Sequence, residues 1–288
     1  MRHWILPKCS FRFSARSIFA LLLIAILLPL GEAAAKDDAP FEANYAIYQE
    51  VLDAVVKDGR VNYSQLKLDR EKLDQFVEAI GDVKEKDYNT WALDRKRAFW
   101  INAYNAFVLT VVIDNYPINN VKSLQYPSNS PKTIEGAWTD VEFDSPMDDV
   151  TLSRIEHGIL PKLGNPYTIF GLCNGTKGSP ELSGQVYRPE TIDAQLETAA
   201  TKFLGDEKNL SLSEDGGTLM ISEEMRTASR TFVSRFYKSN QYARRDKYEV
   251  ALMNLILKHT GDKYQDVITK NHFNIKWVER DWSLNDVL

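Results

Sequence analysis

The chain contains 288 residues, carries a net charge of −5 at pH 7, and is 44% hydrophobic and 26% charged. This length allows one large domain or two small ones with an ordinary hydrophobic core. An acidic chain without a run of basic residues is poorly suited to binding nucleic acid.

The first 35 residues are typical of a secretory signal peptide. Basic residues precede an apolar core, Ile18–Leu28, and Ala33–Ala35 supply small residues for cleavage after Ala35. The core is shorter than the roughly 20 residues that span a bilayer, and an uncleaved short anchor is the alternative. We therefore expect a periplasmic or secreted protein, with residues 36–288 as the mature chain and no stable membrane span after processing.

Helical periodicity dominates the start of the mature chain. Apolar residues at helical spacing predict amphipathic helices over Phe41–Val56 and Leu66–Ile80. Lys84–Asn89 is polar and typical of a loop. We expect Asp94 to cap the next helix, because a carboxylate at that position accepts from free backbone N–H groups, and Pro117 to end it.

That helix, Arg97–Asn115, is the feature around which the chain is organised. It is apolar on nearly every side, yet it carries Asn102, Tyr104 and Asn105 in its middle. A buried amide without hydrogen-bond partners costs roughly 1–3 kcal/mol. The rest of the chain must therefore bring polar groups to this helix.

Shorter elements are predicted between residues 119 and 180. Trp138–Phe143 alternates like a strand, and Tyr167–Cys173 is a continuous apolar run that predicts a central strand buried on both faces. Between them, Ser153 and Glu156 have the spacing of a capping box. A small-residue loop, Asn174–Pro180, follows the second predicted strand.

The last third of the chain mixes helices and strands. Helices are predicted over residues 189–204, 222–237 and 248–259, a hairpin over Leu210–Ile221, and a strand over Phe273–Trp282. No repeat or linker divides the sequence. The pattern predicts a single α+β domain over residues 36–288, with helices packed around a modest, mainly antiparallel sheet.

With these pieces placed, the chain resembles the domain-of-unknown-function 547 family. The resemblance rests, in chain order, on Phe99–Ala106, Ile155–Leu160, Asn174–Leu182 and Asp281–Asn285, and it covers about residues 98–285. It implies an α+β module without an established biochemical role. Relatives often carry cysteines flanking the loop, whereas this chain has Asn174 and Ser179 there, which weakens any thiol mechanism.

The Glu156–His157 pair offers a first candidate for chemistry. Successive helical residues point about 100° apart, so the two side chains do not form one bidentate site. Glu156 either closes the capping box or contributes to substrate binding. His157 is a candidate general acid or base near neutral pH, and the alternative is a hydrogen-bonded core histidine.

Asn102 and Asn105 lie three residues apart and share a helical face. Their amides could orient a catalytic histidine or hold an oxyanion, or they could tie loop backbone to the core. Tyr104 is expected to pack with its hydroxyl on a partner, and it joins the candidate substrate-binding residues.

The loop supplies the remaining candidates: Asn174, Gly175, Lys177 and Ser179. Backbone N–H groups in such a turn can cradle an anion, and the lysine adds charge. The spacing is not that of a P-loop. Cys173 precedes the loop, and because cleavage removes Cys9 it can form no intramolecular disulfide. It is either a nucleophile or a buried structural thiol.

Two hypotheses about function follow. The first is a periplasmic hydrolase or acyl-transferase, with His157 as acid/base and with Asn102 and Asn105 as orienting groups. The second is a non-catalytic envelope module that binds a peptide, glycan or partner protein, which an exposed patch of Trp138, Trp277 and Trp282 would favour. We expect a small-molecule or peptide partner, no cofactor and no nucleic acid. We also expect no metal, because the histidines are scattered along the sequence.

Overall fold

The computed structural model describes residues 40–119 and 126–287. The predicted signal peptide lies outside these residues. Within them, no helix combines the length and the apolar character that crossing a membrane requires.

Short helices form the first layer. They are a 3-10 turn at Phe41–Asn44, α1 (Tyr45–Val55), α2 (Tyr63–Leu68), α3 (Glu71–Gly81) and α4 (Glu85–Thr90), with a two-stranded hairpin of β1 (Val56–Lys57) and β2 (Arg60–Val61) after α1. The helix predicted over Leu66–Ile80 is therefore two helices. The loop predicted at Lys84–Asn89 is wrong, since most of it is helical and buries Tyr88 against Trp100.

The central helix, α5, spans Leu93–Asn115 and is buried from Ala98 to Leu109 without interruption. This confirms a helix enclosed on all sides. The predicted cap is wrong, because Ala92 occupies the N-cap position and Asp94 instead pairs with Arg97 one turn later.

The middle of the chain is less regular than predicted. Trp138–Asp140 forms a turn, Val141 and Glu142 have no regular structure, and only the isolated bridge between Phe143 and Val150 is strand-like. The predicted central strand is also wrong: Thr168–Gly171 is a 3-10 helix. The side chain of Asn105 on α5 bonds to the Gly171 carbonyl and the Cys173 N–H, the backbone groups on either side of Leu172, so this apolar segment is buried without a sheet.

The capping box at Ser153 is wrong too. Ser153 is already helical and makes no capping hydrogen bond, whereas Thr151 Oγ1 accepts from Arg154 N at 3.1 Å. The backbone then follows a π-helix at Arg154–Ile159 and a 3-10 turn at Leu160–Leu163. Glu156 is consequently free of the capping role.

The carboxyl-terminal part holds the larger sheet and four more helices. The elements are α6 (Ile192–Gly205), β3 (Leu210–Leu212), β4 (Thr218–Ser222), α7 (Glu223–Phe236), α8 (Lys247–Thr260), a 3-10 turn at Gly261–Tyr264, α9 (Gln265–Lys270) and β5 (Asn274–Val278). β3 pairs antiparallel with β4, which pairs in parallel with β5 so that Leu219 faces Ile275. The fold is α+β, as predicted.

Candidate functional site

The two amides of α5 bind loop backbone. Asn102 Nδ2 donates to the Tyr187 carbonyl at 2.8 Å, and its Oδ1 accepts from Tyr187 N–H at 3.0 Å. Asn105 Nδ2 donates to the Gly171 carbonyl, and its Oδ1 accepts from Cys173 N–H, both at 2.9 Å. The two side chains are 1% and 2% exposed. Both amides therefore fix the segments that surround α5.

His157, the third predicted catalytic residue, is on a different element from Asn102 and Asn105. It is exposed on the π-helical turn, and within the described ranges no hydrogen bond or ion pair joins it to another side chain. Its neighbour Glu156 points inward, where Oε2 accepts from the Tyr104 hydroxyl at 3.1 Å. The structure thus joins Tyr104 to Glu156, two of the predicted substrate-binding residues, and leaves His157 apart from Asn102 and Asn105.

Glu156 belongs to a half-buried ionic cluster that also contains Lys132, Glu224 and Arg280. Glu224 forms an ion pair with Arg280, and their side chains are only 8% and 12% exposed. Burial raises the pKa of Glu224 to about 7; Arg280 opposes this shift and the charge of Glu156 adds to it. Burial also raises the pKa of Tyr104 well above its ordinary value, so the phenol donates to Glu156.

Two tryptophans line this cluster. The ammonium of Lys132 lies 3.8 Å from the ring centre of Trp138 and 5.9 Å from that of Trp282, and Arg280 lies over Trp282 at 4.5 Å. The exposed patch of Trp138, Trp277 and Trp282 that would have favoured a binding module is not formed: all three rings are half-buried, and cations lie over two of them.

Sequence analysis missed this cluster. Its charges come from a 3-10 turn, the π-helical turn, the start of α7 and the segment after β5, and a glutamate in the first turn of a helix is ordinary. The sequence feature that could have indicated the cluster is a tryptophan near a basic residue in two segments: Trp138 with Lys132, and Trp282 with Arg280. No periodicity relates positions so far apart in sequence.

The loop at Asn174–Ser179 is bound to the chain's last segment. Lys177 N–H donates to Ser283 O and Gly178 N–H to Asp281 O, while Thr176 N–H donates to the side chain of Asn174. Ser179 N–H in turn donates to Thr176 O. These four backbone donors are engaged, so an anion cradle would have to draw its donors from side chains.

Cys173 lies beneath the loop in a buried setting. Its Sγ accepts from Asn285 Nδ2 at 3.4 Å and lies 3.8 Å from Ser179 Oγ. Burial raises the pKa of the Cys173 thiol, and neighbouring hydrogen bonds oppose that shift only in part. A buried thiol with a raised pKa is a poor nucleophile.

A cleft of about 390 Å³ opens on the outer side of the same loop. We name it the loop cleft. Its walls are the β1–β2 turn with Val56, Asp58 and Gly59, the loop and its continuation with Lys177, Ser179 and residues 181–184, and the face of α6 with Gln195, Thr198, Ala199, Lys202 and Phe203. Two predicted substrate-binding residues, Lys177 and Ser179, thus share one cavity, whereas Asn174 and Gly175 are not among its walls.

The charges of the loop cleft are mixed. Lys202 Nζ lies 2.5 Å from Glu181 Oε2, and Lys177, Asp58 and Asp206 add further charges. Its lining also includes the buried rings of Phe170 and Phe203. The Ser179 hydroxyl lies 2.8 Å from the Thr176 carbonyl, so it already has an acceptor. In residues 40–119 and 126–287, no group of three His, Cys, Asp or Glu side chains is placed to hold a metal ion.

Comparison with known proteins adds one finding. Residues 88–204 match the family model described as "Protein of unknown function, DUF547". The match includes α5, the π-helical turn, the loop and nearly all of α6, and it ends before α7. No curated protein and no solved structure is similar enough to the chain to count as a match.

Proposed function

We propose that this chain, whose residues 88–204 belong to the DUF547 family, is a binding module that takes a small zwitterionic ligand in the loop cleft. The ligand class is a free amino acid or short peptide with both termini charged. One observation carries the proposal: a cleft of about 390 Å³ is lined by side chains of both charges together with apolar rings. Pockets of this size accommodate small molecules.

The ion pair between Lys202 and Glu181 supports a zwitterion over a singly charged ligand. The two side chains are 61% and 43% exposed, and exposed ion pairs contribute at most about 1 kcal/mol. A ligand with one ammonium and one carboxylate can open this pair at little cost, because each partner receives a new counter-ion. A singly charged ligand would leave one of the two without its partner.

The neighbouring groups fit the same chemistry. Asp58 and Asp206 can reinforce the ammonium end, and Lys177 the carboxylate end. The rings of Phe170 and Phe203 offer apolar surface to an aliphatic side chain, and each buried methylene contributes about 0.8 kcal/mol. Together, the charged and aromatic side chains of the loop cleft favour ligand binding over bond cleavage.

The hydrolase hypothesis stays a prediction. Its acid/base, His157, is exposed on the π-helical turn, and its orienting amides already bind the backbone of Tyr187, Gly171 and Cys173. A catalytic role would need substrate to bind over the exposed imidazole. The predicted signal peptide supports placing the module in the periplasm or outside the cell, which amino-terminal sequencing of the exported protein would test.

Calorimetric titration with glycyl-leucine tests the proposal. We expect binding to the unmodified dipeptide, and a loss of at least about tenfold in affinity, or about 1.4 kcal/mol, for N-acetylglycyl-leucine and for glycyl-leucinamide. Lys202→Gln and Glu181→Gln should weaken binding similarly. Lys263→Gln is the matched control, since Lys263 pairs with Glu207 outside the cleft. Equal affinity for all three peptides, or no effect of the cleft variants, would contradict the proposal.

A further inference from the structure

His259, near the end of α8, contacts two other elements through its two ring nitrogens. Its Nδ1 lies 2.8 Å from Thr201 Oγ1 on α6. Its Nε2 lies 2.8 Å from the hydroxyl of Tyr167, which immediately precedes the 3-10 helix Thr168–Gly171. Tyr167 is buried and the imidazole is half-buried. The histidine therefore fastens α8 to both α6 and the 3-10 helix.

The neighbouring hydrogen bonds assign the donors and acceptors of these contacts. Thr201 Oγ1 donates its proton to Glu197 O at 2.9 Å, so it accepts from Nδ1–H of the imidazole. With the ring proton on Nδ1, Nε2 is an acceptor, and the hydroxyl of Tyr167 donates to it. The same phenol oxygen accepts from Lys258 Nζ at 2.9 Å. Both ring nitrogens are thus satisfied when His259 is neutral.

A second proton on His259 would disrupt this arrangement. Nε2–H would then point at the phenol oxygen of Tyr167, which already accepts from the ammonium of Lys258, and the phenol proton would lose its acceptor. The guanidinium of Arg235 on α7 lies 4.9 Å from the centre of the Tyr167 ring and adds a further positive charge. The opposing group is Glu197 on α6, but Lys258 and Arg235 already share its carboxylate at 2.8 and 3.1 Å.

The same surroundings disfavour the charged imidazole electrostatically. Burial lowers the pKa of His259 most strongly and Lys258 lowers it next, while Glu197 raises it and Arg235 lowers it; the net direction is downward. A histidine in an unfolded chain titrates near about pH 6.5. Because the folded pKa is depressed, the contribution of these contacts is complete above about pH 6.5 and is lost as the pH falls below that value.

α6 connects these contacts to the loop cleft. Successive helical residues point about 100° apart, so Thr201 meets His259 while the adjacent Lys202 lines the cleft. The 3-10 helix that follows Tyr167 supplies Phe170 to the same cleft. The two elements that His259 fastens to α8 are therefore both walls of the loop cleft.

We propose that His259 is a proton-sensitive latch that holds α6 and the 3-10 helix against α8 when neutral, and that releases them and weakens ligand binding in the loop cleft when protonated. The imidazole acts through the position of the walls, since it is not itself one of them. The effect on the ligand rests on the proposed dipeptide binding, whereas the release of α6 does not. Mild acid would thus discharge the ligand from the cleft.

Hydrogen exchange of the ligand-free protein tests the latch itself. Protection factors, which are corrected for the intrinsic pH dependence of exchange, are measured for the amides of α6 at about pH 7.5 and about pH 5. We expect them to fall at least about fivefold at the lower pH, the smaller end of the usual coupling between two sites. The amides of α1, on which none of these groups lies, are the internal reference and should keep their protection.

Two variants complete this test. His259→Gln removes the titrating group, so protection of α6 should be the same at both pH values. His272→Gln is the matched control, because His272 is exposed and takes no part in these contacts, and it should respond as the native protein does. A native α6 whose protection does not change with pH, or falls only as much as that of α1, would overturn the proposal. This comparison within the native chain decides the matter even if His259→Gln fails to fold.

Calorimetric titration with glycyl-leucine at the same two pH values tests the coupling to the cleft. Affinity should fall at least about fivefold at the lower pH in the native protein and in His272→Gln, and should stay constant in His259→Gln. A native affinity that is independent of pH, or an equal fall in His259→Gln, would overturn the coupling. Absence of binding at both pH values would contradict the proposed function instead, and hydrogen exchange would still decide whether the latch opens.

Discussion

The side chain of Asn105 clamps the backbone of Cys173 to α5 through one of the two hydrogen bonds that its amide makes with the segment from Gly171 to Cys173. Asn105 Oδ1 accepts from Cys173 N–H while its Nδ2 donates to Gly171 O, and both bonds measure 2.9 Å. An irregular apolar segment is thereby buried with its backbone groups paired. The Asn105 amide therefore has a structural role: it joins α5 to the segment that contains Gly171 and Cys173.

Asn105→Ala should destabilise the fold by about 2–6 kcal/mol, because it leaves one buried N–H and one buried carbonyl without partners and each costs about 1–3 kcal/mol. Denaturant unfolding measures the change. The control is Asn115→Ala on the same helix: Asn115 is exposed, and among the described residues its side chain bonds to Val111 O alone, within that helix, so we expect a loss below about 0.5 kcal/mol. Equal effects of the two variants would contradict the clamp.

His157→Ala should leave the unfolding free energy unchanged within about 0.5 kcal/mol, because the imidazole is exposed. Affinity for glycyl-leucine should be unchanged as well, since His157 is not among the walls of the loop cleft. Denaturant unfolding and calorimetry check the two statements. A loss of several kcal/mol would mean that the histidine supports the core after all.

Gly59→Ala should abolish ligand binding and destabilise the fold. Gly59 has φ +75°, and a Cβ there would overlap both the carboxylate and the Cβ of Glu181, so the carboxylate must leave its place in the cleft and the segment that carries it must shift. The positive φ alone costs an alanine about 1 kcal/mol. Gly216→Ala is the matched control, because Gly216 has φ +71° with nothing near its Cβ position. It should cost only the penalty of the positive φ, less than Gly59→Ala, and leave binding intact; equal loss of binding in both variants would contradict the role of Glu181.

The raised pKa of Glu224 predicts a pH-dependent contribution to stability. A carboxyl with a folded pKa of about 7 and an unfolded pKa near 4.3 binds protons more readily in the folded state, so its contribution is complete below about pH 4 and is lost as pH rises to 7. The stability difference between the native chain and Glu224→Gln should therefore shrink by about 3 kcal/mol over this range.

Urea unfolding of both proteins at several pH values measures that difference. Asp246→Asn is a suitable control, since Asp246 is an exposed cap of α8 that accepts from Tyr248 and Glu249 N–H. A difference between native and Glu224→Gln proteins that stays constant from pH 4 to 7 would show that the carboxyl titrates as in an unfolded chain.

Cys173 should react slowly with iodoacetamide in the folded protein, because it is 3% exposed and burial raises its pKa. In urea the same thiol should be alkylated at the rate of a free cysteine. Mass spectrometry follows both reactions. Rapid alkylation of the folded protein at neutral pH would restore the thiol as a candidate nucleophile.

Local patterns in the sequence determined the helices and the hairpin. The apolar run around Asn102 and Asn105 predicted α5, because a helix buried on all sides needs apolar residues in every direction. The hairpin over Leu210–Ile221 followed from alternation and a glycine turn, which are also local. The lysine and serine of the loop were identified from their neighbours in sequence, and both line the loop cleft.

Only the tertiary structure decided how the polar groups are grouped. Glu156 was predicted to cap its own helix, but Thr151 takes that role, and Glu156 instead meets Tyr104 fifty-two positions earlier. Tyr167–Cys173 has the composition of a strand, yet Asn105 supplies the hydrogen bonds that a neighbouring strand would have given. The ionic cluster joins a turn, two helices and the segment after β5. Pairings of this kind depend on which distant segments are packed together, and no local pattern in the chain records them.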